Sequence, residues 1–296
     1  MTCGMAHATP DILCIGSVLW DIIGRSSVHM ERGSDVGGRI TRLPGGVALN
    51  IAMAARAYGM TPALLSVVGR DEEGDTLVAA LDRLNLITDT LYRSEDLPTD
   101  VYMAVEGANG LIAAIADAHS LERVGDKILA PLDGPLRGFA GPIALDGNLT
   151  RDLLARIAGD DRFAGADLRV APASPGKADR LMPFLTHAST TLYVNLEEAG
   201  LLLHAPQPDA PTAAQALRAR GLHRAVVTDG PRRAACAHSG GIVARDPRPV
   251  MVTRVTGAGD TFMAAHIAAE VAGAGPQAAL DRALDAAATY VSGDTY

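Results

Sequence analysis

The stretch Val255-Thr256-Gly257-Ala258-Gly259-Asp260-Thr261-Phe262 runs through two glycines into Met263-Ala264-Ala265-His266-Ile267. Phe262, Ala265 and Ala269 then recur at helical spacing. A Gly-rich turn feeding a helix aims several backbone N–H groups at one spot, and the positive end of the helix dipole adds to them, which makes an anion site. Asp260 sits in that first turn. A carboxylate facing a bound phosphate is unfavourable unless it does chemical work, such as taking a proton from an attacking hydroxyl. The same residues also suit an ordinary helix start, with glycines for packing and Asp260 as a partner for the dipole.

A second Gly-rich helix start lies far upstream, at Gly45-Gly46-Val47-Ala48-Leu49-Asn50-Ile51-Ala52, with Gly59 closing the helix and Gly69 ending the next strand. It is not G-x-G-x-x-G, so a dinucleotide site has little support. Adjacent glycines allow close approach of a hydroxylated ligand, and Asn50 can both donate to and accept from vicinal hydroxyls. A packed helix start with a buried, satisfied Asn is the alternative. Between and beyond these segments, short aliphatic runs alternate with helical ones. Strands are expected at residues 12–16, 63–68, 142–145, 168–170, 191–194 and 225–228, and helices at 47–58, 71–84, 258–272 and 276–291. That alternation predicts an α/β fold with a mostly parallel sheet covered on both faces. Two stretches break it: the polar, Gly-rich 26–42, and the arms 101–105 and 111–116 around Gly107-Ala108-Asn109-Gly110, a hairpin signal. Together, over about 22–43 and 98–118, they predict a small antiparallel β lid on one domain spanning 1–296.

Composition narrows the function. Of 296 residues, 48% are hydrophobic and 20% charged, enough apolar material for a core. The net charge of −8 argues against a polymeric nucleic-acid binder, because nothing draws the whole molecule to a phosphate backbone. Lys127 and Lys177 are the only lysines, so an ammonium group in a site has two possible sources. Cys3, Cys14 and Cys236 are too sparse for a metal or disulfide framework and point to a reducing, cytoplasmic setting. The apolar run from Ile12 to Leu19 is too short to span a bilayer, so no membrane partner is expected.

Taken together, the two Gly-rich segments resemble the ribokinase-like (PfkB-type) family of carbohydrate and nucleoside kinases. Gly45, Gly46, Ala48, Asn50, Ala52, Gly59 and Gly69 fit its amino-terminal signature, and Thr256 through Ile267 its carboxy-terminal one. Arg254 departs from that pattern, at a place usually held by Asp, Asn, Ser or Lys. The resemblance implies ATP-dependent phosphorylation of a small sugar or nucleoside, with Mg²⁺ and a monovalent cation as cofactors and a homodimer formed through the lid. It makes Asp260 the base, with the amides of Gly257, Ala258 and Gly259 holding the transferred charge. Asp21, Gly45, Gly46 and Asn50 would grip substrate hydroxyls. Asn195 and Glu198, in Asn195-Leu196-Glu197-Glu198, would organise Mg²⁺ through water. Thr228, Gly230 and Thr256, with Gly257 and Gly259, would contact nucleotide, although Pro231-Arg232-Arg233 replaces a second glycine common there. Ala171-Pro172-Ala173-Ser174-Pro175-Gly176-Lys177-Ala178, Asp146-Gly147-Asn148-Leu149 and the lid strand from Leu111 to Asp117 are similar to the pseudouridine kinases of the family. They imply that Asn148 and Lys177 read a base, with pseudouridine 5′-phosphate as the product. Ribose, fructose, a ketodeoxy sugar acid or a purine nucleoside are the alternative acceptors, and a non-catalytic nucleoside-binding relative is the alternative class.

Overall fold

The computed structural model describes residues 9–293. Cys3 lies outside them. The chain opens with β1 (Ile12–Ile15), β2 (Leu19–Arg25) and β3 (Arg39–Gly45), then α1 (Val47–Ala57) and β4 (Pro62–Leu65). β5 (Val67–Gly69), α2 (Glu72–Arg83) and β6 (Tyr92–Ser94) lead to the hairpin of β7 (Val101–Gly107) and β8 (Gly110–Asp117). α3 (His119–Val124), β9 (Ile143–Asp146), α4 (Arg151–Gly159), β10 (Leu168–Ala171), β11 (Thr190–Asn195), α5 (Leu196–Leu203) and α6 (Ala210–Ala219) follow. The chain continues with β12 (Arg224–Asp229), β13 (Arg232–His238) and β14 (Gly241–Arg245), before α7 (Ala258–Val271) and α8 (Pro276–Ser292). Two 3₁₀ stretches, Gly125–Asp133 and Pro175–Thr186, follow α3 and β10 in the chain.

Eight strands form the large sheet in the order β14-β13-β12-β11-β10-β9-β1-β4. From β12 to β4 every pairing is parallel, and β13 and β14 add antiparallel strands at one edge. Alternation along β1 feeds both faces: Leu13 and Ile15 join the core under α3 to α6, while Ile12 and Cys14 join the core under α1, α2, α7 and α8. This is the ribokinase-like α/β architecture.

Four further strands, in the order β3-β2-β7-β8, make the smaller sheet. Its two antiparallel pairs are joined by a parallel β2–β7 pairing. Asp21 lies opposite Leu43 on one side and Tyr102 on the other, so both pattern-breaking stretches flank it. Asn109 secures the hairpin through its side chain: Oδ1 accepts from Met30 N and Nδ2 donates to Met30 O, at 3.0 and 2.9 Å.

Local expectations failed where partners changed. Residues 63–68 are not one strand. The chain leaves β1 after Leu65, and Val67–Gly69 pairs with β6 instead, Tyr92 N donating to Ser66 O. Strand structure in 26–42 begins only at Arg39. β13 escaped notice because Ala234, Ala235, Cys236 and Ala237 are all buried, leaving no polar–apolar alternation to see.

Candidate active site

Ligands of parallel α/β sheets gather beyond the carboxyl ends of the strands. Here those ends deliver Ser17 after β1, Asp146 from β9, Asn195 from β11 and Thr228 from β12. Asn195 and Thr228 are paired in register. α1 and α7 both begin on this side, and their first turns touch: Asn50 Nδ2 donates to Asp260 Oδ2 at 3.0 Å, across 210 residues of sequence. Asp260 keeps a little accessible surface, but it lies deep, and burial pushes its carboxyl up to about 7. The Asn50 hydrogen bond pulls the other way, while the charges of Asp146 and Asp21 add to the rise.

Gly257 caps α7 with a left-handed φ of 88°, and a Cβ there would lie 2.5 Å from the Tyr290 hydroxyl. Thr261 N closes the first helical bond onto Gly257 O. Ala258 N donates back to Val255 O at 3.0 Å, so in this structure that amide is committed to the turn and the free donors narrow to its neighbours.

The glycines before α1 serve the protein itself. A Cβ at Gly45 would fall 2.1 Å from Asp21 Oδ2, and one at Gly46 would fall 2.5 Å from Ser17 O. The crowding expected from a ligand therefore comes from the Asp21 carboxylate and the Ser17 backbone. Asp21, half-buried on β2, has its carboxyl pushed up to about 6 by burial.

Behind these residues runs a polar chain that motif matching did not assemble. Asp146, fully buried, accepts at Oδ2 from Ser17 N and Ser17 Oγ, at 2.8 and 2.5 Å. Ser17 Oγ in turn accepts from Val47 N at the start of α1, at 2.9 Å, and from Asn148 Nδ2, at 3.1 Å. Lys177 Nζ donates to Asn148 Oδ1 at 2.5 Å. Burial, and then Arg180, pull the Lys177 amine below its usual range. Asn148 and Lys177 thus sit together, tied through Ser17 to the helix that carries Asn50. The one available signal for Asp146 was its place inside Asp146-Gly147-Asn148; Ser17 and Tyr290 had none.

Beside the α7 turn lies a cleft of about 570 Å³. Thr228, Gly230 and Gly259 line it, along with apolar Val252, Phe262 and Leu284. Its volume and lining suit the flat base of a nucleotide, next to amides able to take phosphate. Thr256 is exposed, its carbonyl accepting from the Tyr290 hydroxyl at 2.9 Å. Asn195 and Glu198 form a capping box on α5: Asn195 Oδ1 accepts from Glu198 N, and Glu198 Oε2 accepts from Asn195 N, each at 2.8 Å. Burial raises the Glu198 carboxyl, partly offset by that backbone bond. Both oxygens retain a second lone pair, and an amide with a carboxylate is a hard donor set that suits Mg²⁺ held through its waters. Among the described residues no three His, Cys, Asp or Glu converge as a direct metal cage.

Residues 9–294 match the family description "pfkB family carbohydrate kinase". The chain belongs to the PfkB family of carbohydrate kinases. The pseudouridine kinase of Escherichia coli (strain K12) is 28% identical over 260 residues, covering 86% of this chain and 81% of that one. An uncharacterised sugar kinase of the same organism, YeiI, is 29% identical over 220 residues, 72% of this chain, which spans only 59% of that protein's length. Arabidopsis thaliana ribokinase, solved with ribose and ATP, superposes with a TM-score of 0.82 at 21% identity, over 96% of this chain and 93% of its own. Among the described residues no helix of this kinase is long and apolar enough to cross a membrane.

Proposed function

We propose that this PfkB-type kinase phosphorylates the 5′-hydroxyl of a nucleoside, and that the nucleoside is pseudouridine. The observation that carries the proposal is the Asn50–Asp260 contact. Asp260 directly follows the Gly257–Gly259 turn, and Asn50 lies on the helix whose Val47 N bonds Ser17 Oγ, the partner of Asn148 and, through it, of Lys177. Asp260 takes the proton of the attacking hydroxyl, and Asn50 holds its carboxylate in line. Asp21 binds acceptor hydroxyls from the smaller sheet, with Gly45 and Gly46 setting its distance from α1. Asn148 and Lys177 present an amide and an amine to the polar edge of a base. Backbone amides of Gly257 and Gly259 stabilise charge as it moves, and Thr228, Gly230 and Thr256 border the donor. Asn195 and Glu198 would hold Mg²⁺ through its waters, where the metal would offset the charge of the phosphoryl donor, ATP. The smaller sheet is the lid that excludes water from this centre.

Coupled ADP release across pseudouridine, uridine, ribose, fructose, a ketodeoxy sugar acid and adenosine tests the acceptor. Pseudouridine should lead, with kcat/KM above ribose by about tenfold or more, because ribose leaves the base-reading groups unpaired. Equal turnover of ribose and pseudouridine would reject the acceptor and keep the kinase. Glu198→Gln should raise the Mg²⁺ concentration needed for half-maximal activity, with most of kcat returning at excess metal. A variant whose loss ignores Mg²⁺ would leave Glu198 as a helix cap alone.

The lid's outer face supports a homodimer. Gly24, Ile40 and Val105 align in one row and Ile22, Met103 and Ile115 in the next. Ile40 is 76% exposed and Ile115 69%, an apolar sheet face without cover in the single chain. Ile40→Lys with Ile115→Lys should convert a sedimenting dimer to monomer. A wild-type protein that sediments as a monomer at micromolar concentration removes this part of the proposal.

A further inference from the structure

The segment ahead of α7 carries almost no apolar anchorage. Arg254, Val255 and Thr256 are all exposed, Val255 to 70%. A loop of this kind opens easily unless polar contacts hold it. Those contacts come from the last turn of α8. Thr253 N and Thr253 Oγ donate to Val291 O at 2.8 and 3.0 Å, and Arg254 N donates to the same oxygen at 3.3 Å. Arg254 Nε donates to Tyr290 O at 2.7 Å, placing a guanidinium where the carboxyl end of a helix dipole favours a cation. The guanidinium also lies over the Tyr290 ring, 3.8 Å from its centroid. From the far side of that ring's bonds, the Tyr290 hydroxyl donates to Thr256 O at 2.9 Å and fills the space where a side chain on Gly257 would stand.

We propose that Arg254 and Tyr290 are positioning residues that hold the Gly257–Gly259 turn in its anion-collecting form. Arg254 orients the phenol by stacking and by its bond to the Tyr290 carbonyl. The phenol then pins Thr256 and abuts Gly257, so the left-handed residue that begins α7 is set by a side chain from α8. The departure from the family pattern at residue 254 thereby has a local cause: the guanidinium satisfies the end of α8 and braces the turn at once. This inference rests on the kinase assignment for the identity of the anion, a nucleotide phosphate, but not on the choice of acceptor.

Tyr290→Phe removes the hydroxyl and keeps the ring, and Arg254→Ala removes the stacked cation. Calorimetric affinities of each variant for AMP-PNP and for AMP separate the turn from the apolar cleft. Each variant should bind AMP-PNP about tenfold more weakly than wild type, the worth of one hydrogen bond near 1.4 kcal/mol. AMP should bind unchanged, since its base and sugar use the cleft. Deuterium exchange in the peptide covering 253–261 should speed up in both variants, with the melting temperature held. Equal losses for AMP and AMP-PNP, or an AMP-PNP affinity equal to wild type, would overturn the positioning role. A wild-type protein that binds neither nucleotide and releases no ADP with any acceptor would reject the kinase assignment instead, a separate outcome.

Discussion

Asp260→Asn is expected to lower kcat by about 10²–10⁴-fold, the range of a lost general base, while KM for the nucleotide stays level or falls. The substitution keeps the side chain's shape and its contact with Asn50 Nδ2, through the remaining carbonyl oxygen. What it removes is the capacity to take a proton. It also removes a negative charge at the start of α7 that repels phosphate, which is why donor binding should not suffer. Because burial pushes the Asp260 carboxyl up to about 7, wild-type kcat/KM should climb with pH through that value. The carboxylate that accepts the proton is the form present above it. The stability consequence has the opposite sense. A carboxyl whose pKa is higher in the folded state than in the unfolded chain stabilises the fold at low pH, and that contribution is lost as pH rises toward 7. Asp260→Asn should therefore melt higher than wild type at pH 8, by about 2–4 °C per kcal/mol of relieved desolvation, and show no such gain at pH 4. Stopped-flow ADP release and calorimetry at the two pH values decide the matter. Retention of more than about a tenth of kcat would leave Asp260 as a partner for the helix dipole only.

Gly46→Ala is the second large effect, and Gly59→Ala is its control. Both glycines hold left-handed backbone, at φ 101° and 87°, and flank the same helix. An alanine at either site bears dihedral strain of about 1–3 kcal/mol. At Gly59 a Cβ meets nothing within 4 Å, so strain is the whole cost. At Gly46 the Cβ would stand 2.5 Å from Ser17 O and 2.7 Å from Ser17 C, backbone atoms that cannot swing aside. Overpacking adds a further ~1–3 kcal/mol. The shift would also reach function, because Ser17 Oγ bonds both Val47 N and the Asp146–Asn148 pair, and α1 carries Asn50. Gly46→Ala should thus be less stable than Gly59→Ala in urea and should lose kcat/KM, while Gly59→Ala keeps it. Equal stabilities would mean that the Ser17 contact yields freely.

The fold was legible where one strand or helix buries one kind of face. Strands β1, β9, β10, β11 and β12 are short aliphatic runs covered on both sides, and such runs announce a parallel sheet whatever their neighbours. Helices α1, α2, α7 and α8 began and ended within a residue or two of expectation, because capping and periodicity are local properties. β14 and the first residues of β2 were missed, for their partners rather than their own residues make them strands.

The candidate site divides along the same line. Gly257, Gly259, Asp260, Gly46 and Asn50 stand out in the sequence as residue types at fixed spacing beside a helix start, since the proposed phosphoryl transfer would need amide donors, conformational freedom and a carboxylate there together. Tertiary structure alone decided the rest. It set Asn50 against Asp260, filled the space beside Gly45 and Gly46 with the protein's own atoms, and linked buried Asp146 through Ser17 to Asn148 and Lys177. It also braced the anion turn with Tyr290. These contacts cross between 24 and 210 positions of sequence. A motif records what one stretch of chain must be, whereas a carboxyl raised to about 7 depends on the dielectric and the charges that distant stretches bring around it.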